Sequence, residues 1–372
     1  MRASAPGERV HLVASDDQGS QERSRLMWII GCDFHSRYQQ VAAMNQETGE
    51  ILERRLSHEH EGKDVVAFYE SLPRGARIGM EASGSAPWFE RLLDRCGHRL
   101  EVGDPATIRA SVVRKQKTDA RDARQLLELL LTDRFPSLWI PTPAERDARQ
   151  LLVHRHKLVG WRTQVRNQLS ALARGQGVFP RTRFSTRRGR QQLESLRLDP
   201  WAAQRRQDLL RLLDDLDARI ATLTRQVHQQ AGARNDAVAL MQQEGVGPVV
   251  SLAFVLTLGT ASRFPRGKQV ASYLGLNPRE HSSGGQQRFG HISKQGNRMM
   301  RWLLVEAAWM AVRRDPDLRR VYQRLAFRRG RKIAAVAVAR KLAVKLYWRL
   351  RTWEEQNAPQ PPAPMQDSSG RG

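Results

Sequence analysis

Apolar residues recur along this chain with two different periods, and the change of period divides it. From Trp28 the apolar runs are short and bounded by turn residues. WIIGCD (Trp28–Asp33) reads as a buried strand, and YQQVAAM and ILERRLS on either side of NQETGE read as a hairpin. A helix is predicted near Lys63–Ser71, a strand at RIGMEA, a helix around Pro87–Cys96, a strand at RLEVGD and a long helix from about Thr118 to Thr132. The order βββαβαβα predicts a mixed sheet covered by helices, an α/β domain over residues 26–143.

Between about 144 and 235 the pattern is helical throughout. Leu151, Leu158, Val165 and Leu172 recur every seven residues. Leu209, Leu213, Leu216, Ile220, Leu223 and Val227 step by four and three, the seam of a coiled coil. Such a seam can close on its own chain as a helical hairpin or pair with another chain, and the spacing suits both. The connection PRTRFSTRRGR holds Arg181, Arg183, Arg187, Arg188 and Arg190 and no acid.

The third region, 236–354, is mainly helical and opens with DAVALMQQEGVGPVVSLAFVLTLG. Its two apolar helices, joined by Gly245-Val246-Gly247, resemble a helix-hairpin-helix element, whose exposed N–H groups suit phosphate. A plain αα-hairpin has the same pattern. YLGLNPREHSSGGQQRFGHISKQGN and three basic helices follow. The ends, 1–25 and 355–372, are polar and aperiodic and read as disordered tails.

Charge changes the picture. The 372 residues carry 62 Lys and Arg against 38 Asp and Glu, a net charge of +24, so a polyanion is the expected partner. Gln286–Arg351 alone holds 18 Lys and Arg against Glu306, Asp315 and Asp317, a clustering that solubility does not require. Lys294, Arg298 and Arg301 head these basic helices, and with the five arginines above they are the expected nucleic-acid contacts. No apolar run reaches the roughly 20 residues of a membrane span, and the N-terminus lacks the apolar core of a signal peptide. Cys32 and Cys96 alone make neither a disulfide framework nor a zinc site. These features predict a cytoplasmic chain that seeks nucleic acid.

Four carboxylates stand out. Asp33 and Glu81 each end a buried strand, where a charge is costly unless paired. Asp119 and Asp122, three apart at the start of a helix, face one side. Brought together, the four would suit one or two Mg²⁺ ions, which prefer oxygen ligands and stabilise both oxygens of a phosphodiester exchange. Structural alternatives exist for each: Asp119 and Asp122 favour a helix dipole, Asp33 can cap a turn, and Glu81 can pair with an arginine. In His281-Ser282-Ser283-Gly284-Gly285 a serine flanked by glycines can approach a phosphate, although Ser-Gly runs are also plain flexible turns.

Taken in order, GCDFHSRYQ, MEASGS, KTDARDARQ, EGVGPVVS, YLGLNPREHSSGG and GHISKQGN resemble the insertion-sequence transposases with an Asp-Glu-Asp-Asp set. These are relatives of the Piv-type invertases, also known as bridge-RNA-guided recombinases. The resemblance spans about residues 27–350. It implies a RuvC-like (RNase H-like) domain with Asp33, Glu81, Asp119 and Asp122 as catalytic metal ligands. It also implies a coiled-coil oligomerisation region at 144–235 and a C-terminal transposase domain with a catalytic serine, which the family pattern places at Ser283, with Ser282 next to it. Further implications are Mg²⁺, a structured guide (bridge) RNA, donor and target DNA, and a homo-oligomer built as a dimer of dimers in which the acidic site of one protomer meets the serine of another. Two other readings fit the residues: a RuvC-like metal nuclease or junction resolvase using water, and a non-catalytic nucleic-acid binder.

Overall fold

The computed structural model describes residues 28–83, 86–111, 118–179, 184, 186–280 and 288–358. The chain divides into two units, residues 1–140 and 141–372.

The first unit holds a five-stranded sheet among its described residues. Its strands are β1 (Trp28–Phe34), β2 (Tyr38–Asn45), β3 (Ile51–Ser57), β4 (Arg77–Glu81) and β5 (Arg99–Gly103), in spatial order β3-β2-β1-β4-β5. β2 is antiparallel to β1 and β3, while β1, β4 and β5 run parallel. Helices α1 (Lys63–Glu70) and α2 (Pro87–Cys96) cover one face, packing Val65, Phe68, Phe89 and Leu93 on Ile30, Cys32, Ile78 and Met80. The other face carries α3 (Pro105–Ala110) and α4 (Asp119–Leu131), with Leu126, Leu130 and Phe135 against Ile29 and Ala42. Central strands buried on both faces read as continuous apolar runs, which is why WIIGCD and RIGME were recognisable. The short helix α3, capped by Asp104, was not expected.

The second unit is mostly helical. α5 (Pro143–Gly175) and α7 (Pro200–Gly232) lie antiparallel, with α6 (Arg187–Glu194) between them in sequence. Arg155 reaches Thr224, and both Arg162 and Arg166 reach Asp217. The leucine seam is therefore filled within the chain: Leu158, Val165 and Leu169 meet Leu209, Leu213, Leu216 and Ile220. Of the expected heptads, Leu172 and Leu223 are only half-buried beside this core, and Leu151 is half-buried against the cluster of the following helices. Leu152, Val227 and Ala231 join the cluster formed by the following helices, so the regions predicted as 144–235 and 236–354 share one unit.

Those helices are α8 (Asn235–Met241), α9 (Pro248–Leu258), α10 (Gly267–Tyr273), α11 (Arg298–Arg314), α12 (Pro316–Arg329) and α13 (Arg331–Gln356). From Ser251 to Leu258 every residue of α9 is buried, as a central helix requires. Gly245 has φ +84°, and a Cβ there would strike the backbone of Ala307 and Ala311, so the turn before α9 admits only glycine. A two-stranded ribbon, β6 (Pro278–Glu280) with β7 (Phe289–Ile292), precedes α11. Among the described residues no helix is long and apolar enough to cross a membrane.

Asp315 joins three of these helices. It caps α12 by accepting from the Asp317 and Leu318 N–H groups at 2.9 and 3.0 Å, and receives Lys345 Nζ of α13 at 2.8 Å. Gln243, just after α8, donates to it at 3.4 Å. Burial alone would raise its pKa, but Lys345 and the backbone N–H groups outweigh that and hold it below the usual carboxylate range. A carboxyl held low in the fold contributes stability above its unfolded pKa and loses it as pH falls through the folded value. Asp315→Ala is expected to cost about 2 kcal/mol at neutral pH. Its deficit against the parent should shrink below about pH 4, which thermal melts at the two pH values would show.

Candidate metal centre

The site grows from strand register. Cys32 of β1 pairs with Met80 of β4, so the next residues, Asp33 and Glu81, stand side by side at the carboxyl ends of parallel strands. Side chains alternate along a strand. Ile30 and Cys32 face α1 and α2, which puts Gly31 and Asp33 on the face covered by α4. Gly31 decides how near α4 comes: a Cβ there would run into the Ala123 carbonyl oxygen and the Leu127 amide nitrogen. Backbone therefore lies on backbone, and the first turn of α4 reaches the end of β1.

At that point Asp33, His35 and Asp119 converge. One ligand atom from each lies within 4.8 Å of the others. His35 Nε2 is 3.0 Å from Asp33 Oδ2 and 3.7 Å from Asp119 Oδ1. The Tyr38 hydroxyl donates to Asp119 Oδ2 at 2.6 Å, which raises the phenol pKa, and the Arg55 guanidinium lies over the Tyr38 ring. Burial raises the pKa of Asp33; His35 opposes the rise, and the charges of Asp122 and Asp119 add to it. Two carboxylates and an imidazole crowded around one point, with repulsion between the acids, form a donor set that a divalent cation satisfies. The carboxylates suit Mg²⁺ and Mn²⁺, and the imidazole broadens the choice toward ions such as Zn²⁺ and Fe²⁺.

The other two expected ligands are placed differently. Asp122 lies outside that tight group but close enough for its charge to act on Asp33. The Glu81 carboxylate meets Arg109 Nη2 of α3 at 3.3 Å, the arginine pairing weighed from sequence. The sequence pattern alone does not mark His35 and Tyr38 as site residues. The available signal was the spacing GCDFHSRY, which puts a histidine two residues beyond the strand-end aspartate. The Cys32 thiol is buried, donates to Gln39, and has its pKa pushed up by burial.

The expected nucleic-acid contacts divide in the same way. Arg187, Arg188, Lys294 and Arg298 are exposed. Arg190 is turned onto Asp214, and Arg301 donates to the carbonyls of Leu274 and Gln295, so both are engaged internally. Arg181, Arg183, Ser282 and Ser283 lie outside the described residues. The segments that flank the serines are clamped together, because Gly275 and Gly296 let two backbones cross where a Cβ on either would collide with the other. Ser293 N–H then donates to the Asn277 carbonyl at 2.8 Å.

Comparison with known proteins points to one family. A model described as Transposase, of the DEDD IS110 type, matches residues 30–177, and one described as Transposase IS116/IS110/IS902 family matches 237–323. A Pseudomonas aeruginosa protein described as "Probable family 20 transposase" is 35% identical over 339 residues, covering 86% of this chain and 96% of that one. The transposase for insertion sequence element IS1111A of Coxiella burnetii is 27% identical, covering 88% of this chain and 90% of its own. The transposase for IS1328 of Yersinia enterocolitica is 25% identical, covering 86% and 95%.

Proposed function

Because this chain belongs to the IS116/IS110/IS902 family of insertion-sequence transposases, enzymes that cut and transfer DNA, we propose that its first unit is a RuvC-like nuclease domain. In this reading it acts within a site-specific recombinase that uses Mg²⁺, a serine nucleophile and a guide RNA. The observation that carries the catalytic part is the convergence of Asp33 and Asp119 at one strand end. The sheet order β3-β2-β1-β4-β5, in which β2 alone runs against the other four strands, supports the RuvC-like assignment. The guide RNA, the oligomer and the serine rest on the sequence resemblance.

Asp33 and Asp119 would hold the cation, with Glu81 and Asp122 completing the acidic set. Bound there, it supplies positive charge that orients the scissile phosphate and offsets charge developing on it. Tyr38 fixes Asp119 through its hydroxyl, and His35 fixes Asp33. The Ser283 hydroxyl gives up its proton to solvent and its oxygen attacks phosphorus. The bond from phosphorus to the leaving deoxyribose oxygen breaks, and that oxygen is protonated. The phosphodiester is thereby kept on the serine, so that rejoining needs no outside energy. Exposed arginines hold phosphates, positioning the strands without reading their sequence.

The rival that keeps the metal but uses water predicts no covalent product. Trapping cleavage reactions in denaturant should yield a protein–DNA adduct with the parent protein and none with Ser283→Ala. If cleavage continues without any adduct, the water mechanism replaces the serine. Family membership overturns the third reading, a non-catalytic binder.

A further inference from the structure

The sharpest mismatch between surface and solvent lies at the corner between α12 and α13. Residues 327–333, Phe-Arg-Arg-Gly-Arg-Lys-Ile, are all exposed, Phe327 at 94% and Ile333 at 59%. From Leu318 to Trp353 the sequence contains no Asp or Glu. Arg320, Lys345 and Arg351 are paired with acids elsewhere. Arg324, Arg328, Arg329, Arg331 and Lys332 have no carboxylate partner among the described residues. The corner is held in shape because Leu318 is buried at one end and Ala334, Ala335 and Val338 at the other.

A partner for this tip must be apolar and anionic at once. A second copy meeting it through the same corner would set one uncompensated basic tip against another. A lipid surface takes up a broad apolar helix face, whereas this tip offers one ring and one isoleucine. Nucleic acid fits: stacked bases are apolar, and phosphates flank them on both sides. Single-strand platforms use successive aromatic rings, and Ile333 has no π-face. Apolar wedges that part a duplex base step are built from such residues as Phe and Ile.

We propose that the α12–α13 corner is a duplex-DNA wedge, in which Phe327 enters a base step while Arg328, Arg329, Arg331 and Lys332 hold the flanking phosphates. The proposal rests on the chain's action on DNA, not on the carboxylate or serine chemistry above.

Full-length protein in EDTA can be titrated against a duplex of about 30 base pairs with 2-aminopurine in a central TA step, a step that unstacks easily. Its fluorescence should rise several-fold on binding, and Phe327→Ala should lose that rise while melting at the parent temperature. Phe327→Trp should keep it. Arg328→Gln and Arg331→Gln should each lower the log–log salt slope of binding by about 0.9, whereas Phe327→Ala should leave the slope unchanged. A full fluorescence rise from Phe327→Ala overturns the wedge. So does a Phe327 dependence confined to single-stranded RNA or to phosphatidylserine vesicles. With Mg²⁺ added, cleavage by Asp119→Asn protein would sink the carboxylate reading and leave the wedge standing.

Discussion

Asp119→Asn protein is expected to fold, to bind nucleic acid and to cut it at less than about a hundredth of the parent rate, a larger loss than the roughly 10–100-fold that removing a mere outer partner of a bound metal costs. Asp33→Asn should do the same. Asp119 is the part of the site delivered by α4, and its carboxylate meets both Tyr38 and His35. The amide retains the shape and can still accept from the Tyr38 hydroxyl, but it lacks the charge that would hold a cation. Stability should hold or rise, because burial and neighbouring acids already disfavour the charge on Asp33. Melting curves should show this for both variants, along with smaller stabilisation of the variants by added Mg²⁺ or Mn²⁺ than of the parent. A variant that cuts at the parental rate removes that residue from the metal centre.

Much of this site was legible in the sequence, for identifiable physical reasons. A buried parallel strand shows as an unbroken apolar run, and a carboxylate at its end is conspicuous because burial makes it costly. WIIGCD and RIGME both have that form, and period-two alternation fixes the face from which Asp33 projects. Asp119 and Asp122 were visible as an i, i+3 pair. His35 and Tyr38 were not, because their roles depend on the chain reversing between β1 and β2 and on α4 docking above it. The Glu81–Arg109 pair depends on a six-residue helix too short for periodicity to reveal. Heptad counting found the two long helices but placed Leu151 and Leu172 in a seam that Leu169 and Ala173 fill more deeply. Charge counting likewise could not tell exposed arginines from Arg190, whose partner Asp214 lies on another helix.

Gly31→Ala is expected to be the most damaging single methyl in the first unit. Three glycines, Gly31, Gly79 and Gly103, line the sheet face beneath α4 and Phe135, but their neighbours differ in kind. At Gly79 an added Cβ would come 2.8 Å from Leu130 Cδ1 and 2.9 Å from Phe135 Cε2, side-chain tips that can rotate away. Gly79→Ala should therefore cost about 1–3 kcal/mol, the usual range for overpacking. At Gly31 the obstacles are the backbone carbonyl of Ala123 and the backbone amide of Leu127, which can yield only if α4 lifts as a body. Lifting it uncovers Leu126, Leu127 and Leu130 and costs more than about 4 kcal/mol, at the extreme of single-site effects. It also carries Asp119 away from Asp33, His35 and Tyr38. Cleavage per folded molecule should then collapse in Gly31→Ala and survive in Gly79→Ala, with thermal melts supplying the folded fraction for each. If Gly31→Ala kept both its melting temperature and its cleavage rate, α4 would not be seated on β1 as described, and the approach of Asp119 to Asp33 would need another cause.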